Sequence, residues 1–367
     1  MKNVNPFITT SYLKEENFCG RQNETTNAIN LLNSGNNVVL ISPRKMGKTS
    51  LIRHIFNVIK RDNPHSVCIY VDVFTTTNLR SLTDLMAKTI FNSTTKITAR
   101  LLKQLSKHFK VCRPIFTTDE QASIPSIRLE YAEKDTPEAL REILQYATET
   151  DNPCYIAFDE LQQLNEYPEK NIKKIFSSYI QGLPDAHFIF AGSKQKQVLD
   201  FLPQSAHAHV IELEPIDPNS YYQFANQYFQ AARHPLPVET FNQIYKLVDG
   251  HTWYVQVLLN QLYNDMPSKI NEKYLQQISV DVLHRFETFY QQTYSLLTYN
   301  QKMLLKAIAE EECIKQINSS DFVSRYGFKN ASSVSRAMQF LIENEFIFKR
   351  NRHYTLSDHF MALWLKK

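Results

Sequence analysis

The sequence is short of cysteine, of long apolar runs and of metal-binding patterns. Its five cysteines, Cys19, Cys68, Cys112, Cys154 and Cys313, are odd in number and scattered. No two have Cys-x-x-Cys spacing, which argues against both a zinc site and a disulfide framework. Cys68 and Cys154 sit inside apolar runs and read as buried thiols. The eleven histidines form no His-Glu-x-x-His pattern, and His207 and His209 read as loop residues. No apolar run reaches the roughly 18 residues of a membrane-spanning helix, and Met1–Pro6 has no apolar signal region. These absences lead to the expectation of a cytoplasmic protein without a membrane partner. No internal repeat or low-complexity tract interrupts the chain.

What is present is ordinary in bulk and informative in place. Hydrophobic residues make up 43% of the chain, enough for a sizeable core. The 367 residues suit two or three domains, at roughly 150 residues each. The net charge is only +4. From Tyr290 onward, eleven basic residues stand against seven acidic ones, so the whole excess lies in the tail.

The stretch Val38-Val39-Leu40-Ile41-Ser42-Pro43-Arg44-Lys45-Met46-Gly47-Lys48-Thr49-Ser50-Leu51 reads as a buried strand, a tight loop and a helix start. Gly47-Lys48-Thr49 is the closing half of a phosphate-binding loop. Backbone N–H groups of such a loop and of the helix start attract phosphate oxygens. The loop residues Pro43, Arg44, Lys45, Met46 and Gly47, with Lys48, Thr49 and Ser50, are therefore the nucleotide-binding candidates. Lys48 would set its ammonium on the β- and γ-phosphates, and Thr49 would offer its hydroxyl to Mg²⁺. The motif asks for glycine where this chain has Ser42, which lacks glycine's freedom at positive φ. A basic helix start is the simpler alternative for the triplet. The strand before it and the helical run Leu51, Ile52, Ile55, Phe56 and Ile59 after it favour the phosphate loop.

Further short apolar runs follow: Val67–Val73, Cys154–Asp159, His187–Gly192 and a weaker Val210–Leu213. Helical patterns separate most of them, over Ser50–Arg61, Ser81–Lys110, Thr136–Glu149 and Lys170–Gln181. Continuous apolar strands alternating with helices predict an α/β fold, a parallel sheet with helices on both faces. Arg113–Tyr131 interrupts this order and reads as a β-hairpin insertion. From Asp217-Pro218-Asn219 to about Tyr299 the pattern is helical, broken once at Asp249-Gly250-His251. The last segment predicts helices over Gln301–Ala309, Ser319–Tyr326 and Ala331–Asn344. A hairpin of Phe346–Phe348 and His353–Leu356 follows them. Three helices and a hairpin make a winged helix-turn-helix pattern.

The run Cys154–Phe158 ends in Asp159-Glu160. An apolar strand followed by two acids is what an ATP-hydrolysing site needs: Asp159 for the metal, Glu160 as general base for water. The alternative is that either acid merely caps the following helix. Ser193, after the strand ending in Gly192, is a candidate γ-phosphate sensor or else a turn former.

These residues resemble the archaeal-type P-loop ATPases, a prokaryotic group between AAA+ and signal-transduction (STAND) ATPases. The resemblance covers nearly the whole chain. It rests on Asn5-Pro6-Phe7, Phe18-x-Gly20-Arg21-x-x-Glu24, the phosphate loop, Phe158-Asp159-Glu160, Gly192-Ser193, Gly250-His251, Tyr254-x-Gln256 and the tail Tyr354–Leu365. It implies that Phe7, Gly20 and Arg21 lie near the nucleotide base and that His251 belongs to a lid motif. Phe7 and Phe18 are equally well read as core residues. Ser42, Gln22 and Thr252 depart from the family pattern. No arginine is identified by spacing as a finger; Arg53, Arg233 and Arg285 are candidates that read more readily as structural or solvated residues.

The expected organisation is an ATPase core over 1–214 with the hairpin near 113–131, a helical lid over 215–289 and a winged helix over 290–367. The expected function is ATP and ADP binding with Mg²⁺, with slow hydrolysis whose nucleotide state controls lid and winged-helix exposure. The rivals are a non-hydrolysing switch and a DNA-binding regulator with a vestigial nucleotide site. Expected partners are the nucleotide, DNA through Arg336, Lys349, Arg350 and Arg352, and a second copy or another protein.

Overall fold

The computed structural model describes residues 5–9, 15–93, 109–118, 125–149, 152–267, 271–312, 314–350 and 353–367. They divide into two compact units. One comprises residues 12–42 and 47–214, the other residues 1–11, 43–46 and 215–367.

The first unit is built on five parallel strands: β1 (Asn37–Ile41), β2 (Val67–Asp72), β5 (Cys154–Asp159), β6 (Ala186–Gly192) and β7 (Ala208–Glu212). Their order is β2-β5-β6-β1-β7. Successive residues of a strand face opposite sides, and here both sides are buried. Val39, Ile41, Ile156, Phe158, Phe188 and Phe190 join one core with the helices Leu79–Ser93, Thr136–Thr148 and Ile172–Gln181. Val38, Leu40, Ala157, Ile189 and Ala191 join the opposite core with the helices Gln22–Asn33 and Lys48–Asp62. This is why the strands read as unbroken apolar runs. The carboxyl ends of β1, β5 and β6 lie on one edge, where open α/β sheets bind ligands.

The hairpin prediction holds: β3 (Arg113–Thr118) pairs antiparallel with β4 (Pro125–Glu130). The buried Glu142 carboxylate accepts the backbone N–H groups of Lys110, Val111 and Cys112, pinning the chain just before β3. The helix predicted over Ser81–Lys110 is observed over Leu79–Ser93. Lys110 lies in a bend, and residues 94–108 lie outside the described residues, as do Cys313 and Arg352. Cys154 is buried, whereas Cys68 is only half-buried. His209 belongs to β7 rather than to a loop.

The second unit is helical until its end. Helices Pro218–Ala231, Val238–Leu247, Thr252–Asp265 and Glu272–Ser295 come first. Asp217 caps the first, its side chain accepting Ser220 N–H, and Pro218 sits at the first turn where its missing donor costs nothing. The pattern breaks at more places than Asp249–His251. Pro235, Pro237 and Pro267 stand in the additional breaks, because proline removes a helix donor and clashes with the preceding turn. Phe7 is fully buried and packs its ring against Phe224, Tyr228, Phe229 and Tyr263 of these helices. The winged-helix elements follow: Tyr299–Glu311, Ser320–Arg325, Ala331–Glu343, β8 (Ile347–Arg350), β9 (His353–Leu356) and His359–Leu365. Thr298 and Gln301 form a capping box, and Ser319 and Asn330 cap the next two helices.

Candidate functional site

The site in the first unit is assembled by strand ends. β1 delivers Ser42, which is 1% exposed. Ser42 is absent from the positive-φ residues; Lys45 (φ 63°) and Gly47 (φ 97°) take the left-handed turns instead. Glycine's freedom is thus used at position 47 and is not needed at position 42. Open space surrounds the point where a Gly47 side chain would begin. The backbone angle, not crowding, therefore favours glycine there. Gly47 opens the helix Lys48–Asp62 with no side-chain cap on its first turn. Lys48, 4% exposed, folds back so that its ammonium donates to the Ser42 carbonyl at 2.9 Å.

Asp159, at the end of β5, is 2% exposed and engages three donors. Thr49 Oγ1 donates to its Oδ2 at 2.5 Å, the Tyr70 hydroxyl donates to the same oxygen at 2.9 Å, and Glu160 N–H donates to Oδ1 at 3.0 Å. A buried carboxylate requires such partners. β6 intervenes between β1 and β5, so the first helical turn after β1 reaches across a strand to make this pair. Burial first, and Asp159 second, hold the Tyr70 phenol well above its ordinary value. It is therefore a hydrogen-bond donor throughout the working range of pH. Asp72 pairs with Asp159 in register, and burial raises its carboxyl.

Glu160 takes a left-handed conformation (φ 55°, ψ 40°) before the 3₁₀ turn Leu161–Glu166 and makes no capping bond to it. Its Oε2 instead accepts Gln162 Nε2 at 2.6 Å, and the same amide nitrogen donates to Ser193 Oγ at 3.1 Å. Gln162 thus joins the two residues the sequence nominated as base and sensor. A side chain at Gly192 would begin 2.3 Å from Gln162 Oε1 and 2.5 Å from Val198. Only glycine allows this approach. Tyr70 and Gln162 were missed by sequence reasoning. Tyr70 is two residues before an acidic strand end, and Gln162 two after the acid pair, which are the only signals they carry.

Other nominated residues are placed as follows. Gly20 and Arg21 both have positive φ and form a turn, and the nearly buried Arg21 pairs with Glu24 at 2.7 Å. The Arg53 guanidinium stands 5.1 Å from the centre of the Tyr70 ring. Arg233 occupies a left-handed turn, and Arg285 donates to Gln261.

Residues 43–46 group with the second unit. There His251, at the start of the helix Thr252–Asp265, hydrogen-bonds through Nε2 to the Arg44 carbonyl at 3.1 Å. Burial pushes its imidazole down to about 4. The Lys45 ammonium lies 3.9 Å from the centre of the Trp253 ring, with Tyr254 and Phe286 further out, and burial lowers its affinity for a proton. Arg44 pairs with Glu345. In the winged helix, Arg336 and Lys349 are exposed. Arg350 ends β8. Ser333, on the same helix as Arg336, is buried and donates its hydroxyl to the Asn330 carbonyl.

A family model described as an ATPase domain predominantly from Archaea matches residues 18–258. A second, described as a probable winged helix domain, matches residues 288–367. No curated protein matches the sequence. Among solved structures, a Walker-type ATPase of Pyrococcus abyssi superposes with a TM-score of 0.65 at 18% identity, covering 99% of this chain and 100% of its own. The ORC2 protein of Aeropyrum pernix, described in ADPNP–ADP complexes, gives a TM-score of 0.58 at 13% identity, covering 99% and 96%. At such identities these two structures support the fold alone. The match over residues 18–258, most of the chain, carries the assignment: this chain belongs to the family of ATPase domains found predominantly in Archaea, followed by a winged helix domain.

Proposed function

We propose that the chain binds Mg-ATP and hydrolyses it slowly, and that nucleotide state controls exposure of the lid (215–289) and the winged helix (290–367). The observation that carries this reading is Asp159 meeting Thr49 at 2.5 Å, with Glu160 next in the chain. Lys48 supplies positive charge to the β- and γ-phosphates, leaving its bond to the Ser42 carbonyl as nucleotide enters. Thr49 and Asp159 are hard oxygen donors side by side. They fit Mg²⁺, which takes one or two protein groups beside substrate phosphates. When bound, the ion offsets phosphate charge. Glu160 accepts the proton of the attacking water, and Ser193 orients that water or the γ-phosphate. Among the described residues no arginine joins this set, which supports a second copy or a partner protein as the source of the charge that P-loop enzymes need for fast turnover. The test is Lys48→Ala. Losing a charge-assisted contact worth about 1.5–3 kcal/mol should weaken ATP binding by calorimetry roughly 10- to 100-fold. Unchanged affinity would refute the assignment.

The Gln162 amide on Glu160 favours a second reading, in which ATP is held without turnover until that amide moves. The tail's positive excess supports a DNA contact, with Arg336 on the helix Ala331–Glu343 and Lys349, Arg350 and Arg352 in the wing. A helix of this kind enters the major groove while wing cations take phosphates.

A further inference from the structure

We propose that Tyr70 is a positioning residue that sets the affinity of the site for its divalent metal by fixing the Asp159 carboxylate. The inference rests on the Mg-ATP reading given above. Asp159 has two oxygens, and the structure divides their partners unequally. Oδ1 takes one backbone N–H, from Glu160. Oδ2 takes two hydroxyls, from Thr49 and from Tyr70. The Thr49 hydroxyl is itself a candidate metal donor, so its proton bond to Asp159 is the one that competes with metal binding. The backbone bond holds only one end of the carboxylate and leaves rotation about the Cβ–Cγ bond open. The Tyr70 phenol is the side-chain donor that remains to fix that rotation.

The phenol is held from two sides. Tyr70 pairs with Ala157 on the adjacent strand, two residues before Asp159, and its hydroxyl reaches that carboxylate. Arg53 lies one helical turn beyond Thr49, and its guanidinium stacks at 5.1 Å from the ring centre. The helix that carries Thr49 therefore also clamps the residue that orients Thr49's partner. Asp72 is the other acid in register with Asp159, but its side chain is committed to Phe74 N–H at 3.0 Å.

The experiment uses the full chain and calorimetric ATP binding, first in EDTA and then across a Mg²⁺ titration. Tyr70→Phe keeps the ring and the Arg53 contact and removes only the hydroxyl. The expected result is ATP affinity in EDTA within twofold of wild type. The Mg²⁺ concentration for half of the metal-dependent gain should rise about tenfold, the scale of one lost hydrogen bond to a charged group. In an Asp159→Asn background the same change should have no further effect on metal dependence. An unchanged Mg²⁺ titration overturns the proposal, as does an equal loss of affinity in EDTA, which would mark Tyr70 as merely structural. Additive losses in the Asp159→Asn background also overturn it. A wild-type chain whose ATP binding ignores Mg²⁺ would instead refute the underlying Mg-ATP reading, so the two failures are distinguishable.

Discussion

At the scale of single residues, the site brings together two carboxylates, Asp159 and Glu160, with named donors on each. Asp159 accepts two hydroxyls and a backbone N–H, whereas Glu160 accepts the Gln162 amide. Gln162 donates one amide nitrogen to both Glu160 and Ser193, and its other end occupies the space where a side chain at Gly192 would begin. Gln162→Leu keeps the bulk and removes the bridge. If the bridge aims the base, phosphate release should fall about tenfold or more, a part of the 10²- to 10⁴-fold typical of general-base catalysis. ATP affinity should then change less than threefold. A rise in turnover would favour the reading in which Gln162 restrains Glu160. The place of the acid pair at the end of β5 was legible in the sequence because the apolar run Cys154–Phe158 stops at the two acids. Gln162 and Tyr70 were not legible. Their roles depend on which strands lie side by side, and on a left-handed turn at Glu160 that no residue type announces. The departure at Ser42 falls where the backbone uses none of glycine's special angles. Lys45 and Gly47 carry them.

At the scale of elements, the strands were readable because a parallel sheet buried on both faces leaves no polar alternation. Strand order was not readable, and it is the order β5-β6-β1 that separates Asp159 from the phosphate loop by a whole strand. The helix breaks after Ala231 and Asp265 fall at Pro235, Pro237 and Pro267, inside a helical periodicity that continues on either side of each break. The sheet's rigidity depends on aromatic packing between β5 and β6. Phe190 is fully buried and stacks on Phe158 and Phe188 at 6.2 and 5.6 Å between ring centres. Phe190→Ala should therefore cost about 3–5 kcal/mol, the usual range for a buried aromatic truncated in a core. Urea unfolding followed by tyrosine and tryptophan fluorescence would measure it. A loss under 1 kcal/mol would mean that this face of the sheet is less tightly packed than its burial indicates.

At the scale of the whole molecule, the chain joins an ATPase domain to a winged helix whose segment holds the entire net positive charge. If that charge meets DNA phosphates, binding to a duplex should weaken with salt with a log–log slope of about −0.9 per phosphate neutralised. Replacing Arg350 and Arg352 by alanine should lower the slope by up to about 2. Fluorescence anisotropy at several salt concentrations would decide it. A slope near zero would leave the winged helix as a protein-docking module. Turnover itself rests on Glu160 as the general base. Phosphate release and Mg-ATP binding measured on the same preparations of wild type and Glu160→Gln test it most directly. The variant should bind Mg-ATP within a few fold of wild type and lose turnover by about 100-fold or more. Wild-type turnover in Glu160→Gln would contradict it.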